Sequence, residues 1–461
     1  MTASTEYAPA TEPIPQIMDR PLWRDTFSSL RIRNYRLYVS SQIVSNTAAW
    51  MQRIAVDWLV LELTGSVMLV GITIALQFGP ILVFGAWGGV MADRYPKRVI
   101  LISTATTSVV VCATLAAMTI TGAVEVWHVL LAAFVLGVAT AIDGPARSAF
   151  VTEMVGTSRL RNAISVNASI FHLGGLIGPA LSGILIALVG SGISIGVNAV
   201  AGLVVVATLM AMRQSELRSS PRQPRASGQV RAAVRYAVAK PAILFSLITL
   251  AFVATFGMTL PVLLAGMADS VYGTGSAGYG LYSSLAAVGA FVGAIYSTQR
   301  TTLRLRSIVL AAVVFGVTMV VASMAPVQGI FFVALVAVGF SRLMFAMAAE
   351  SMTQLSTNLG IRGRVMSLYI MVLLGGQAVG GPLMGWIGEE WGIRTAFFIA
   401  GVVPALAGLV LAVVLARMGK LTLKVDLHSL RTPVSIVRSQ RSQRRQRSQR
   451  SQRGQRPSTT R

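Results

Sequence analysis

The chain has one cysteine, three histidines and few charges. Cys112 alone allows no intramolecular disulfide and no cysteine-based metal cluster. Charged residues make up only 12% of the 461, roughly half of what a soluble globular protein carries. No Gly-x-x-x-x-Gly-Lys loop is present to cradle a phosphate, so the sequence encodes no nucleotide-driven step. A zinc-binding His-Glu-x-x-His pair is likewise missing. No catalytic residue, no metal, no cofactor and no enzymatic activity are expected. Residues 1–34 are polar, carry Pro9, Pro13 and Pro15, and lack an early apolar core, so a cytoplasmic tail is expected rather than a secretory signal.

What the chain has instead is apolar length. Hydrophobic residues make up 54%, the mean hydropathy is +0.68, and the apolar residues gather in runs of roughly 20–25. Such a run crosses about 30 Å of hydrocarbon as a helix, and in lipid each backbone group needs an internal partner. Period-two alternation is absent, which disfavours a barrel. Six runs lie within 35–212 and six within 241–417. The expectation is an all-α membrane protein of twelve transmembrane helices in two six-helix bundles.

Charge placement orients the spans. With the N-terminus inside, Arg94, Lys97, Arg98, Arg159 and Arg161 fall on the cytoplasmic side. Glu62, Glu125, Asp269, Glu389 and Glu390 then fall outside. Both termini are expected in the cytoplasm, in a bacterial inner membrane. Residues 213–240, with Pro221 and Pro224, have linker composition and divide six spans from six. Each half repeats a Gly-Pro helix: Gly174, Gly178, Pro179 and Gly183 in the fifth span, Gly381, Pro382 and Gly385 in the eleventh. These small residues suit close packing, static or moving. Six-plus-six duplication around a cavity is a transporter architecture.

Residues 418–461 contribute strongly to the net charge of +23 with near repeats of Arg, Ser and Gln. That composition builds no core and reads as a disordered tail. Association with anionic lipids is the leading expectation, a passive extension the next. Nucleic-acid binding is not expected, because no stacking aromatics interleave with the arginines.

Ionisable groups within spans are costly and mark function. In the first span Gln42, Asn46, Trp50, Arg53 and Asp57 are spaced 4, 4, 3 and 4, which stacks them on one face. Such a stripe suits a water-filled cavity. Asp57 is either a protonation site exposed alternately to each side or half of a self-neutralising pair with Arg53. Asp143 and Arg147 repeat the i,i+4 spacing in the fourth span, and Arg342 and Glu350 lie two turns apart in the tenth. Thr255, Thr259 and Pro261 are the polar and bending features of the seventh. Proton-coupling candidates are thus Asp57, Arg53, Asp143, Arg147 and Glu350. Cavity candidates are Gln42, Asn46, Trp50, Thr255, Thr259 and Arg342. His172 reads as hydrogen-bonded structure. Trp50, Trp58, Phe78 and Phe256 form either core or an apolar binding wall.

The loop after the second span reads Gly89-Val-Met-Ala-Asp93-Arg94-Tyr-Pro-Lys97-Arg98. It resembles the signature Gly-x-x-x-Asp-Arg-x-Gly-Arg-Arg of the major facilitator superfamily, with Pro96 and Lys97 as departures. The Gly-Pro-x-x-Ser-Gly stretch of the fifth span resembles the motif of its exporter branches. Gln42 through Gly65, Asp143-Gly-Pro-Ala-Arg147 and Arg362 through Tyr369 resemble the enterobactin exporter and macrolide efflux group. The resemblance covers about residues 30–416. It implies that spans one, four, seven and ten line a central cavity, and that Asp93 and Arg94 gate the halves, with Glu153, Arg161 or the N-terminus of the eleventh helix as partners. A basic loop that only sets topology is the alternative. It also implies secondary active efflux, by proton antiport, of a small amphipathic compound such as an antibiotic or siderophore. A monomer is expected. A proton-independent facilitator or lipid-moving member of the same fold, and a non-transporting sensor or scaffold, stand as alternatives.

Overall fold

A computed structural model describes residues 28–217, 229–298, 305–358 and 361–418, with two short segments, 421–425 and 434–438, beyond them. Most of the expected N-terminal tail, residues 218–228 of the linker and most of the basic tail lie outside the described residues. So does the side chain of Arg161.

The first half contains α1 (Arg33–Thr64), α2 (Val67–Arg94), α3 (Lys97–Ile120), α4 (Val126–Val189) and α5 (Ser191–Ala211). α1 stops at Gly65, whose left-handed φ of 66° lets its N–H bond back to the Leu61 carbonyl. Ser66 then caps α2 by accepting from the Leu69 N–H at 3.1 Å. The fourth and fifth spans read from the sequence are the two limbs of α4, Val126–Gly156 and Asn162–Val189. They meet at Gly156, where φ is 69°, a conformation that favours glycine.

In the linker, α6 (Gln229–Ala239) is a short helix that the sequence reading did not anticipate. It lies against the second half, where the Tyr236 hydroxyl accepts from the Asn358 N–H at 3.1 Å. The seventh span is broken rather than continuous. α7 (Pro241–Phe252) passes through a π-helical turn at Val253–Gly257 into α8 (Leu260–Gly266), and a second π turn, Met267–Val271, follows. Pro261 opens α8 at its first turn, where its missing N–H costs least. The half closes with α9 (Gly275–Thr298), α10 (Leu305–Ser323), α11 (Gln328–Leu355), α12 (Arg362–Trp391) and α13 (Ile393–Met418).

Ten of the described helical segments are long and apolar enough to cross a membrane, and Ser307–Ser323 is a shorter apolar one. α1 is long enough at 32 residues but carries the polar stripe, which removes it from that set. Twelve spans therefore require both α1 and α10 in addition to the ten. Within the segment expected to lack structure, Leu421–Val425 pairs antiparallel with Val434–Arg438.

Small residues set the packing between the halves. A Cβ on Gly71 of α2 would collide with the Gly381 carbonyl of α12, and one on Gly385 would lie 2.6 Å from the Met68 Cα. On the opposite flank, a Cβ on Gly280 of α9 would lie 2.6 Å from the Pro179 carbonyl oxygen of α4. The Gly-Pro helices of both halves therefore meet the opposite half backbone to backbone. Each of these contacts falls toward the end of the bundle that carries the α1–α2 and α12–α13 loops.

Candidate functional site

Just beneath that closed end, Asp57 of α1 is buried at 3% exposure. Its carboxylate accepts from the Tyr279 hydroxyl of α9 at 3.0 Å and from the Gln77 amide of α2 at 3.5 Å. The Tyr279 ring stacks on Trp58, with centroids 6.2 Å apart. Tyr279 is itself fully buried, and its bond joins the two halves across 222 residues of sequence. A second polar contact between the halves lies at the rim. The Glu389 carboxylate of α12 accepts from the Ser66 hydroxyl, and from the Met68 N–H at 3.0 Å. That places a carboxylate on the N-terminal turn of α2, where the helix dipole favours it.

The i,i+4 partner suggested for Asp57 is not the one it uses. Among the described residues Arg53 makes no ion pair with Asp57. Its guanidinium lies 5.1 Å from the Trp50 ring centroid and 5.6 Å from that of Phe78. Asp143 and Arg147, by contrast, pair as their spacing suggests, with Arg147 Nε 2.6 Å from Asp143 Oδ2 and a second bond of 2.9 Å to Oδ1. Thr104 of α3 donates to the same Oδ1 at 3.0 Å. Arg53, Asp143 and Arg147 all line one cavity of 180 Å³ inside the first half, together with Gln52, Gln77 and Asn198.

The other candidates are dispersed. Asn46 donates to the carbonyls of Ile170 and Phe171, at 2.8 and 3.3 Å, and so fastens α1 to the second limb of α4. Trp50 packs edge-on against Phe171 and over Gly175 and Gly178. Gln42 has its amide nitrogen buried without a hydrogen bond. Thr259 is buried and donates to the Phe256 carbonyl at 3.2 Å, within its own broken helix. The Thr255 carbonyl lies where a Cβ on Gly380 would fall. Glu350 accepts from Gln354 at 3.0 Å, and it makes no ion pair with Arg342. Exposed His172 packs edge-on against Phe171.

At the opposite end of the bundle, Glu153 pairs with Lys97 at 2.9 Å. This bond ties α3 to α4 within one half. Arg98 donates to the carbonyls of Leu209 and Met210, at 2.8 and 2.9 Å, which fastens α3 to α5. Asp93 and Arg94 are exposed, and Gly89 is half-buried in α2.

Sequence reasoning passed over Tyr279 and Gln77, and used Glu389 only as a charge on the outer side. It searched spans for charge, and Tyr279 is a neutral hydroxyl in an apolar run. The available signal was its setting, Gly278-Tyr279-Gly280, small residues flanking one large polar one where two backbones approach.

Known proteins carry the same body. The curated enterobactin exporter EntS of Salmonella typhimurium is 25% identical over 411 residues, covering 87% of this chain and 97% of the relative. The staphyloferrin A transporter of Staphylococcus aureus is 27% identical, and macrolide efflux protein A of Streptococcus pyogenes 24%. Those matches span only 33% and 35% of this chain, and 38% and 40% of the relatives. Among solved structures, the nucleoside transporter NupG superposes with a TM-score of 0.66 at 11% identity, covering 83% of this chain and 98% of its own. An inward-facing bacterial homologue of the human lysosomal transporter Spinster gives 0.62 at 17%, covering 84% and 96%. At such identities these two show the fold alone. The relatives and the apolar helices point to a multi-pass protein of the bacterial inner membrane. Residues 24–444 match the family described as transmembrane secretion effector, and the chain belongs to that family, a membrane transporter of the major facilitator superfamily.

Proposed function

We propose that the chain exports a small amphipathic compound, an antibiotic, siderophore or related metabolite, by alternating access in exchange for protons taken up at Asp57. The observation that carries this reading is the buried bond from Tyr279 to Asp57 across the two halves. An ionised carboxylate accepts that bond most strongly, so protonation weakens the latch at the closed end. A titratable group that also joins the halves couples proton binding to their movement. The charge placement puts this end outside, so the structure would be open inward with both termini in the cytoplasm.

In this scheme Asp143–Arg147 and Lys97–Glu153 stiffen the first half as it rocks. The α2–α3 loop, with Asp93 and Arg94, then gates the opposite end. Glu350 is a subsidiary titratable group in the second half. The protein works as a monomer, and its basic tail associates with anionic lipids.

Asp57→Asn, reconstituted in proteoliposomes with an imposed pH gradient, tests the scheme. Proton-driven efflux is expected to vanish while exchange of compound across the membrane without a gradient persists. Full proton-driven efflux with an unchanged pH profile would remove Asp57 from the mechanism. One observation favours the lipid-moving alternative. A crevice of 590 Å³ between α2, α3 and α4 is lined by Trp87, Arg94, Tyr95, Val99 and Phe134, and Trp87 and Val99 are exposed. Movement of a labelled lipid between leaflets, unchanged by the pH gradient, would establish that reading instead.

A further inference from the structure

Arg53 is a cation in the interior of a membrane protein that forms no ion pair among the described residues. The guanidinium of Arg147 is held on two nitrogens by Asp143. Among the described residues that of Arg53 makes no hydrogen bond or ion pair, while the Asp57 oxygens accept from Tyr279 and Gln77. The rings of Trp50 and Phe78 hold it by cation–π contact, which uses none of the N–H donors. Burying a charge is costly unless it is paired and hydrogen-bonded. An arginine in a span whose fork is unoccupied is therefore set for a partner from outside the chain.

The surroundings agree in sign. The cavity of 180 Å³ that Arg53 lines contains Arg147 against one acid, Asp143, which is turned to Arg147 and Thr104. Two cations face one anion. The amides of Gln52, Gln77 and Asn198 line the same space and make it polar without adding charge, Gln77 donating to Asp57 and Asn198 to the Cys112 sulfur. A planar fork of N–H donors matches a carboxylate, which it can hold by two parallel bonds. We propose that this cavity binds the carboxylate of an acidic compound, with Arg53 as its anchor, and that the exported compounds are carboxylic acids rather than amines. Only the last clause rests on the efflux reading; the binding site stands apart from it.

The test uses the full chain in nanodiscs of zwitterionic lipid, which offers no competing anionic headgroup. Benzoate and benzylammonium, of one ring and opposite charge, serve as probes at neutral pH. Tryptophan fluorescence reports binding, because Trp50 lies 5.1 Å from the guanidinium. Benzoate is expected to give a saturable change and benzylammonium none. Arg53→Gln should weaken benzoate by about tenfold or more, as loss of a charge-assisted fork does.

Benzylammonium binding as tightly as benzoate, no saturable response to benzoate, or unaltered benzoate binding by Arg53→Gln each overturns the proposal. The two-probe comparison on the unaltered chain decides the matter even if the variant does not fold. Selective, Arg53-dependent benzoate binding without efflux of any compound would remove the transport reading and leave the site. Efflux of amines undiminished in Arg53→Gln would overturn the acid anchor and leave transport.

Discussion

The phenol of Tyr279 in α9 donates to the carboxylate of Asp57 in α1 at 3.0 Å, so one buried hydrogen bond joins helices 222 residues apart in the chain. Removing the donor leaves the acceptor in place. A hydrogen bond to a charged group contributes about 1.5–3 kcal/mol, which corresponds to a population shift of tenfold or more. Tyr279→Phe is expected to open the closed end. Pulsed electron spin resonance between labels on the α1–α2 and α12–α13 loops, in a Cys112→Ser background, reads this directly. Unchanged distances would show that the glycine contacts alone keep the end shut.

The glycine contacts make an independent prediction. Gly280→Val forces a branched side chain against the Pro179 carbonyl and the Gly183 Cα. Overpacking of this kind costs about 1–3 kcal/mol, here set entirely against the closed state. Efflux is expected to fall severalfold or more while the protein still inserts. Gly79→Ala is the control, since a Cβ there meets nothing within 4 Å. Equal losses from the two variants would refute the argument.

Breaking the pair inside the first half should cost stability rather than specificity. Asp143→Asn leaves Arg147 uncompensated, at about 3 kcal/mol or less because the two side chains keep 19% and 30% exposure. Thermal unfolding in detergent is expected to show the loss, and Asp143→Asn with Arg147→Gln to recover most of it. A double variant as unstable as the single one would contradict a self-contained pair.

The contact at the rim predicts a smaller effect. Glu389→Gln keeps the hydrogen bonds to Ser66 and Met68 but removes the charge from the α2 N-terminus. Loss of such a dipole contact costs about 0.3–1 kcal/mol, and less in high salt. The spin-label distances should shift modestly in low salt and hardly at all in high salt. A shift independent of salt would mean that geometry, not charge, matters there.

Truncation after Arg438 keeps the short hairpin and removes the rest of the basic tail. Efflux from proteoliposomes is expected to be unchanged, and binding of the protein's tail to anionic vesicles to be lost. Lost efflux with normal insertion would give the tail a part in transport.

Much of the architecture was legible because bilayer thickness writes itself into run length. The Gly-Pro helices were readable because close backbone approach requires small residues. Local pairs were readable where helical periodicity alone decides: Asp143 and Arg147 meet as their spacing suggests. The same spacing misleads at Arg53 and Asp57. There a tyrosine 222 residues away outcompetes the i+4 neighbour, and no local rule carries that information. Asn46 was read as lining water because it is polar, yet it bonds backbone carbonyls of α4. The breaks in the seventh span were visible at Pro261 but not at the π turns, which leave no residue signature.

At the closed end, carbonyls and α-carbons of opposite halves touch where side chains would otherwise stand. A seam of that kind has no thickness. It offers a small molecule no recess to occupy, and a ligand cannot hold it shut from within. A compound that arrests this protein in the state seen here has to act as a wedge in the opposite mouth, whereas one that enters the seam can only prise it apart. The pharmacology of the two ends is therefore unequal from the outset, and it follows from the four glycines Gly71, Gly183, Gly280 and Gly381.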